Sequence, residues 1–401
     1  MGGKYYNMNI LLVEPEFPIP AKSKNHRDFL PIGLLKLASY HRQRGDKIRL
    51  VRGNQDTNGF KPDQIKITSL FTYWSKCVWD SVRFYKEGYP EAKVIVGGIY
   101  ASLMPEHCKK SGCDEVFIGV DKEAERCKPA YDLVDVDYQI IHTSRGCTRR
   151  CKFCGTWKIE PKFTYKKSIK EEICSNRIIF YDNNLLANPY IKDILKELSK
   201  AMHNGRVVYS ESQCGIDGRL LTPELAKLLK KARFINPRIA WDHSFNQYKM
   251  IKTQIDVLVD AGYPGKDIYV FMIYNWEHDF KEMEMKRLKC WEWKVQITDC
   301  RYRPLNQTYD NYNSRKKQTS KDYYIHPDWT DKEIKQFRRN VRKQNICVRH
   351  GFPFYSRTLE EKRVDQKLAQ KIKNMPKQKV KSLLTKDILS DLWYPDETIS
   401  R

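Results

Sequence analysis

Apolar and polar positions follow two rhythms that alternate along the chain. NILLVEPEF (Asn9–Phe17) is a short apolar run, the pattern of a strand covered on both faces. In LPIGLLKLASYHRQRG (Leu30–Gly45) apolar residues recur every three to four positions and stop at a glycine, as in an amphipathic helix. The strand rhythm returns in KIRLVRG and QIKITSLF. A second helix follows in SKCVWDSVRFYKEGYP, and KVIVGGIYA and DEVFIGV complete five strands. Strands separated by helices predict a Rossmann-like, doubly wound parallel sheet over residues 1–120. Such sheets take ligands beyond the carboxyl ends of their strands, here the loops EPEFPIPAKSKNH, TSLFTYWS and GGIYASLMPE.

Residues 121–137, with Pro129 and several acids, read as a linker. Over 138–299 the alternation resumes. QIIHTS, RIIFYDNN, RVVYSESQ, PRIAWDHS, KDIYVFMIYN and KVQITD read as strands, and the segments between the later ones have helical period. Thr222 is placed to cap one helix, with Pro223 at its first position, and Gly262 ends another. Six such units predict a partial (βα)6 barrel, whose site residues sit at the carboxyl ends of its strands. From 300 to 401 the period is lost in a basic, tyrosine-rich stretch. An α-rich extension is expected there, with a helix in DKEIKQFRRNVRKQN capped by Thr330 and a last short helix, reaching over the barrel mouth to cover the substrate site.

The length, 401 residues, suits two or three domains. There is no apolar run of about 18 residues, so no membrane span is expected. MGGKYYNMNILLVEPEF lacks a signal-peptide core, and a cytoplasmic protein is expected. The net charge of +24 invites an anionic partner, nucleic acid among them; a lysine-rich, solvated surface is the plainer account.

Of twelve cysteines, nine are scattered and suit packing as small hydrophobes. The other three crowd into SRGCTRRCKFCGTW as Cys147, Cys151 and Cys154, spaced C-x3-C-x2-C. Tetrahedral zinc needs a fourth ligand, for which Cys127 or Cys174 would have to serve. A redox pair of Cys151 with Cys154 leaves Cys147 unexplained. A [4Fe–4S] cluster normally takes one thiolate per iron, so three thiolates leave one iron open to bind a small molecule and pass it an electron.

This spacing, with Phe153 before the third cysteine and the loop following the first strand of a βα barrel, resembles the radical S-adenosylmethionine (SAM) superfamily. TSRGC…CKFC, FYDNN, LLTPELAKLLKKA and AWDHS, together with the first segment, are similar to its subgroup with an N-terminal cobalamin-binding-type domain, over about Asn9 to Asp299. The resemblance implies that Cys147, Cys151 and Cys154 ligate the cluster and that Phe153 packs near the adenine. It also implies that the open iron binds the amino and carboxylate groups of SAM, and that reductive cleavage gives a 5′-deoxyadenosyl radical.

By position at strand ends, Asp182, Asn183, Gln213, Asp242, Ser244 and Asn275 are expected to form the SAM pocket, unless some only cap helices; Arg219 is a candidate partner for the SAM carboxylate. For cobalamin the signal is mixed. The motif D-x-H-x2-G, which supplies histidine to cobalt in many such domains, is absent, and His26 stands in SKNHRDF instead. Gly97 and Gly98 would let a ligand approach the backbone and Ser102 would bond it, or the glycines only permit a tight turn. Tyr73 and Trp74 would face a flat ring or pack between domains. Arg145, Arg149 and Arg150 would offset the cluster's negative charge or dock an acidic reductant such as a flavodoxin or ferredoxin.

Three functions follow: a cobalamin-dependent radical SAM methyltransferase acting on an unactivated carbon; a cobalamin-free radical SAM enzyme catalysing hydrogen abstraction and rearrangement or nucleic-acid (tRNA-like) modification; or a nucleic-acid-binding protein with a structural cluster. In the last, Arg338, Arg339 and Arg342 would meet phosphates. The substrate itself is left open.

Overall fold

The computed structural model describes residues 7–19 and 30–351. His26 and the expected C-terminal short helix lie outside the described residues.

The N-terminal half is β1 (Asn9–Glu14), α1 (Ile32–Gln43), β2 (Lys47–Arg52), β3 (Gln64–Ser69), α2 (Ser75–Gly88), β4 (Lys93–Gly98), α3 (Ile99–Leu103), α4 (Pro105–Lys109), β5 (Glu115–Val116) and α5 (Lys122–Glu125). All five strands are parallel, in the order β2-β1-β3-β4-β5. The alternation in β1 explains the two helical layers. Ile10 and Leu12 pack with Leu34 and Ala38 of α1, whereas Leu11 and Val13 join the cluster of Val78, Val82 and Tyr85 on α2. Two strands are shorter than their sequence suggests. KVIVGG is strand, but IYA already belongs to α3, and only Glu115 and Val116 of DEVFIGV pair.

The stretch read as a linker is packed rather than free. Lys36 pairs with Glu125 at 2.7 Å, Arg42 with Asp132 at 2.9 Å, and Ala130 N donates to Leu35 O.

The second half is β6 (Gln139–Ile141), β7 (Ser144–Arg145), α6 (Thr156–Ile159), β8 (Thr164–Tyr165), β9 (Arg177–Phe180), α7 (Ile191–Lys200), β10 (Met202–His203), β11 (Arg206–Val207), β12 (Tyr209–Ser212), α8 (Pro223–Lys231), β13 (Arg238–Ala240), α9 (Tyr248–Asp260), β14 (Tyr269–Tyr274), α10 (Phe280–Glu292), β15 (Gln296–Arg301) and α11 (Asp331–His350). Two parallel three-stranded sheets, β12-β9-β6 and β13-β14-β15, are joined by the parallel bridges Ser210↔Phe234 and Ile216↔Ile239. The two bridges set the sheets side by side, six parallel strands in all. The Thr222 cap and the stop at Gly262 are present. MHNGRVV, expected to end one helix and begin a strand, instead turns through the small β10-β11 hairpin, because Asn204 and Gly205 both adopt positive φ.

The two halves meet where Leu35 of α1 packs with Ile140 and Ile179 of the barrel. The segment after β15 crosses back to the first half: Ser75 Oγ donates to Thr308 O, and the Arg303 guanidinium lies over the Tyr73 ring. Interdomain packing is thus what Tyr73 does. Beyond that segment the described extension holds the single helix α11, capped by a reciprocal Thr330–Glu333 box. Among the described residues no helix is long and apolar enough to cross a membrane.

Candidate active site at the cysteine loop

The loop that carries the three cysteines is fixed at its root by a buried acid. Asp182, at the end of β9, is fully buried, and its carboxylate accepts four hydrogen bonds from the exit of β6: Thr143 N (3.0 Å), Thr143 Oγ1 (2.6 Å), Ser144 N (2.6 Å) and Ser144 Oγ (2.7 Å). Burial raises its carboxyl pKa while the four donors pull it back. Oδ1 takes three of these donors and Oδ2 one, so Asp182 is committed to the root of the loop and positions the cysteines, rather than standing open at a SAM pocket as its place at the strand end suggested. Two residues on, β7 pairs with β8, and Gly146 turns the chain at φ +74°. A Cβ at Gly146 would overlap the carbonyl oxygen of Lys162. Glu160 closes the loop, accepting from Gly146 N at 2.7 Å and from Arg145 Nη2 at 2.6 Å.

On this frame Cys147, Cys151 and Cys154 are free and half-buried. Arg149 N donates to Cys147 Sγ at 3.4 Å, and Trp157 Nε1 donates to Cys151 O at 3.2 Å. The Cys154 sulfur lies 3.2 Å from the Thr156 hydroxyl, which donates to Asn183 Oδ1 at 3.0 Å. Burial raises Cys151, opposed by Arg149 and reinforced by Cys154, Asp242 and Cys147. An amide donor to a sulfur, as Arg149 N supplies, is what a thiolate cluster calls for. Among the described residues no three His, Cys, Asp or Glu side chains converge as a single-ion site requires. Neither expected zinc partner stands at the loop. The Cys127 thiol faces Gln43 and Glu123, and Cys174 is exposed beside Gln139, at the opposite end of β6.

Asp242, after β13, is the unspent acid. Its Oδ1 is buried with no hydrogen-bond partner. Burial lifts its carboxyl to about 6, against the pull of Lys286 and Arg149. Lys286 is itself lowered to about 8 by burial; its ammonium donates to His243 O and lies 5.5 Å from the Trp241 ring centre.

The remaining predicted residues divide. Asn183 faces the loop through Thr156. Gln213 is half-buried, its backbone N bonded to Phe180 O. Ser244 is a cap, accepting from Asn246 N. Asn275 is fully buried, and both ends of its amide are used: Nδ2 donates to Tyr324 O and Oδ1 accepts from His326 N. It clamps the C-terminal segment to the end of β14 instead of lining a pocket. Arg219 is held by Asp217 at 2.6 Å, and Asp217 also faces Arg149 at 3.5 Å, so neither guanidinium is idle.

Sequence reading missed three neighbours. Trp276 stands edge-on to Phe153 with centroids 6.4 Å apart and packs on Tyr302 at 4.0 Å, making an aromatic wall; it follows the strand-end residue Asn275, a position that warranted notice. Thr156 sits two residues past the last cysteine. Cys214, after β12, is pushed up to about 12 by burial, and its thiol also feels Asp182, Cys154 and Cys147.

In the first half, Gly98 adopts φ +102°, and a Cβ there would overlap the carbonyl oxygen of Ser69. The glycine is required by packing of the turn. Ser102 is engaged as well, donating to Gly98 O and accepting from Gly119 N. These are turn-forming roles. Gly97 and Gly98 both line a cavity of about 360 Å³ beside the carboxyl ends of β3 and β4. Ile67 and Phe117 supply apolar wall, and Lys66, His142 and Arg145 share the polar wall with Glu115, Asp121 and Glu125; Arg145 Nε lies 3.9 Å from the Glu125 carboxylate.

The fold and site together define a mixed α/β protein of parallel sheets, with a doubly wound sheet leading into a six-stranded βα sheet and a triple-cysteine loop at the exit of its first strand. Solved structures that share this architecture include two of one enzyme. One is the radical S-adenosylmethionine methyltransferase TsrM from Kitasatospora setae with cobalamin and [4Fe–4S] cluster bound, at 13% identity and a TM-score of 0.58, covering 76% of this chain and 77% of that one. The other is the same enzyme with tryptophan substrate and the SAM analogue aza-SAM bound, at 12% identity and a TM-score of 0.55, covering 75% of each chain. No protein-family model matches the chain, and no curated protein matches it.

Proposed function

We propose that this protein is a radical SAM enzyme. The observation that carries the reading is the cysteine loop itself. Three free thiols, with no fourth on the loop, are held at the carboxyl end of the first barrel strand by Asp182, Gly146 and Glu160. Cys147, Cys151 and Cys154 would hold a [4Fe–4S] cluster. With one iron free of protein thiolate, such a cluster binds SAM and supplies the electron for its reductive cleavage. The chain's own residues do the rest. The Arg149 amide stabilises charge on the Cys147 sulfur. Asp242 offers its unpartnered oxygen to the SAM ammonium. Phe153 and Trp276 provide an apolar wall for adenine. Arg150 and Lys158, exposed on the loop, give an acidic electron donor such as a flavodoxin or ferredoxin a docking charge.

Within that class we infer a cobalamin-dependent methyltransferase acting on an unactivated carbon. Support comes from the shared architecture with TsrM and from the 360 Å³ cavity, large enough for a small ligand or one arm of a larger one. Gly97, Ile67 and Phe117 would hold its apolar part, and Lys66 and Arg145, with Glu115, Asp121 and Glu125 also on the wall, its polar groups.

The test is anaerobic reconstitution with iron and sulfide, with and without hydroxocobalamin, followed by reduction in the presence of SAM. The reading expects consumption of SAM by the parent protein and none by Cys151→Ala, and corrinoid absorption that stays with the protein after desalting. SAM consumption without corrinoid retention would leave a cobalamin-free radical SAM enzyme. An iron-loaded protein that leaves SAM intact would leave a structural cluster.

A further inference from the structure

The basic extension after β15 does not spread its charge evenly. A groove of about 540 Å³ at the start of α11 is lined by the loop 314–318 and by the first turns of that helix. Five of its cations, Arg315, Lys316, Lys317, Lys332 and Arg339, are exposed, and none has a carboxylate within ion-pairing distance among the described residues. Elsewhere on the surface several lysines are paired, as in Lys76–Asp80, Lys192–Glu224 and Lys252–Asp256; here five neighbouring cations share one groove without such a partner. The one acid in the groove, Asp331, is already spent. It pairs with Lys335 at 2.5 Å, accepts from the Tyr323 hydroxyl at 2.8 Å and accepts from Gln318 N at 3.2 Å.

The loop is also built before any ligand arrives. Gln318 Nε2 donates to Asn311 O, Gln318 Oε1 accepts from Asn313 N, Asn313 Oδ1 accepts from Arg315 N, and the Lys335 ammonium donates to Lys316 O. The polar groups that could neutralise the cations hold the backbone instead. In the segment leading into this loop Tyr309 exposes 43% of its surface, and its hydroxyl donates to Ser320 O, just past the loop, which fixes the side chain.

A row of cations without carboxylate partners on a preformed groove, Arg339 donating only to the neutral Gln336, with an exposed tyrosine in the segment leading into it, fits a chain of phosphates carrying planar bases. We propose that this groove binds the backbone of a single-stranded nucleic-acid segment, with Tyr309 stacking on a base. The expectation that Arg338 meets phosphate is replaced. Its guanidinium faces Asp299 and Tyr274 and lies 5.6 Å from the Tyr312 ring centre, turned into the protein. Arg339, one position on, points to the groove.

The inference does not rest on the chemistry at the cysteine loop, and its test adds no SAM. Full-length protein is titrated against a fluorescent oligoadenylate of about 16 nucleotides, as RNA and as DNA, over about 50 to 200 mM salt. Poly-L-glutamate of similar length serves as the acidic-polypeptide arm. Five phosphate contacts predict a slope of log K on log salt of about −3.5. The exposed triple variant Arg315→Gln, Lys332→Gln, Arg339→Gln should flatten it by about 2, and Tyr309→Ala should weaken binding about tenfold at any salt. Lys192→Gln, Lys196→Gln, Lys231→Gln changes the net charge equally on α7 and α8 and should leave the slope unchanged; thermal melts check that all variants are folded. Preference for RNA or DNA assigns the sugar. No binding at low salt, equal flattening by the control variant, or glutamate polymer bound as tightly as the oligonucleotide would each overturn the proposal.

Discussion

Asp242 is a residue whose environment works against its own stability. In the folded chain its carboxyl is lifted from 3.8 to about 6 by burial, with Lys286 and Arg149 only partly offsetting this. Folding therefore takes up a proton between those values, and the cost of the buried charge is absent below about pH 4 and fully present above about pH 6. Asp242→Asn in the metal-free protein should raise stability at pH 7 by about 1 kcal/mol or more, and thermal melts should show the gain vanish as the pH falls towards 4. The same variant should bind SAM at least tenfold more weakly, since an ammonium partner is lost; calorimetry on the cluster-loaded protein reads this directly. A variant that is more stable yet binds SAM unchanged would move the site away from Asp242. Cys214 permits a second test. Its thiol feels those of Cys147 and Cys154, but burial keeps it protonated. Cys214→Ala should retain the iron content of the parent, whereas a fourth protein ligand would be lost with it. The three loop cysteines were legible because spacing alone marks them. The division between Asp182 and Asp242 was not. Both end apolar strands, and only the tertiary structure decides which one meets four donors and which meets none.

The cysteine loop is an element shaped by one acid and one glycine. Gly146→Ala places a side chain where φ is +74° and where the Lys162 carbonyl already stands. The left-handed backbone alone costs about 1 to 2 kcal/mol, so the loop should be displaced and reconstituted iron should fall well below the parent's. Gly88→Ala, at the end of α2 with open space around the added methyl, should be neutral or slightly stabilising and should keep its iron. Asp182→Asn turns an acceptor into a donor against two amides and two hydroxyls, and should lower both stability, by about 1 to 3 kcal/mol, and iron content. A protein that kept full iron with either substitution would show that the frame does not position the thiols. Elements with long, strongly periodic sequences, such as α1, α9 and β14, could be read directly. IYA and the β10-β11 hairpin could not, because a tight Gly98 turn and two positive-φ residues redirect chains whose composition still suits strand or helix.

At the scale of the whole molecule, the order of strands and helices was legible because parallel sheets need long apolar runs separated by amphipathic ones. The contacts that join the halves were not, since they depend on pairs far apart in sequence, such as Leu35 with Ile140 and Arg303 with Tyr73. These contacts set one sheet's carboxyl edge and its cavity beside the root of the cysteine loop, where Arg145 belongs to both. The account stands or falls on whether that loop carries a cluster with an open iron. The direct measurement is the electron paramagnetic resonance spectrum of the anaerobically reconstituted, dithionite-reduced protein, recorded without and with SAM. A reduced [4Fe–4S] signal whose shape changes when SAM is added, and which is absent from Cys151→Ala, is the predicted result. A protein that takes up no cluster, or a cluster signal that SAM leaves unchanged, would contradict it.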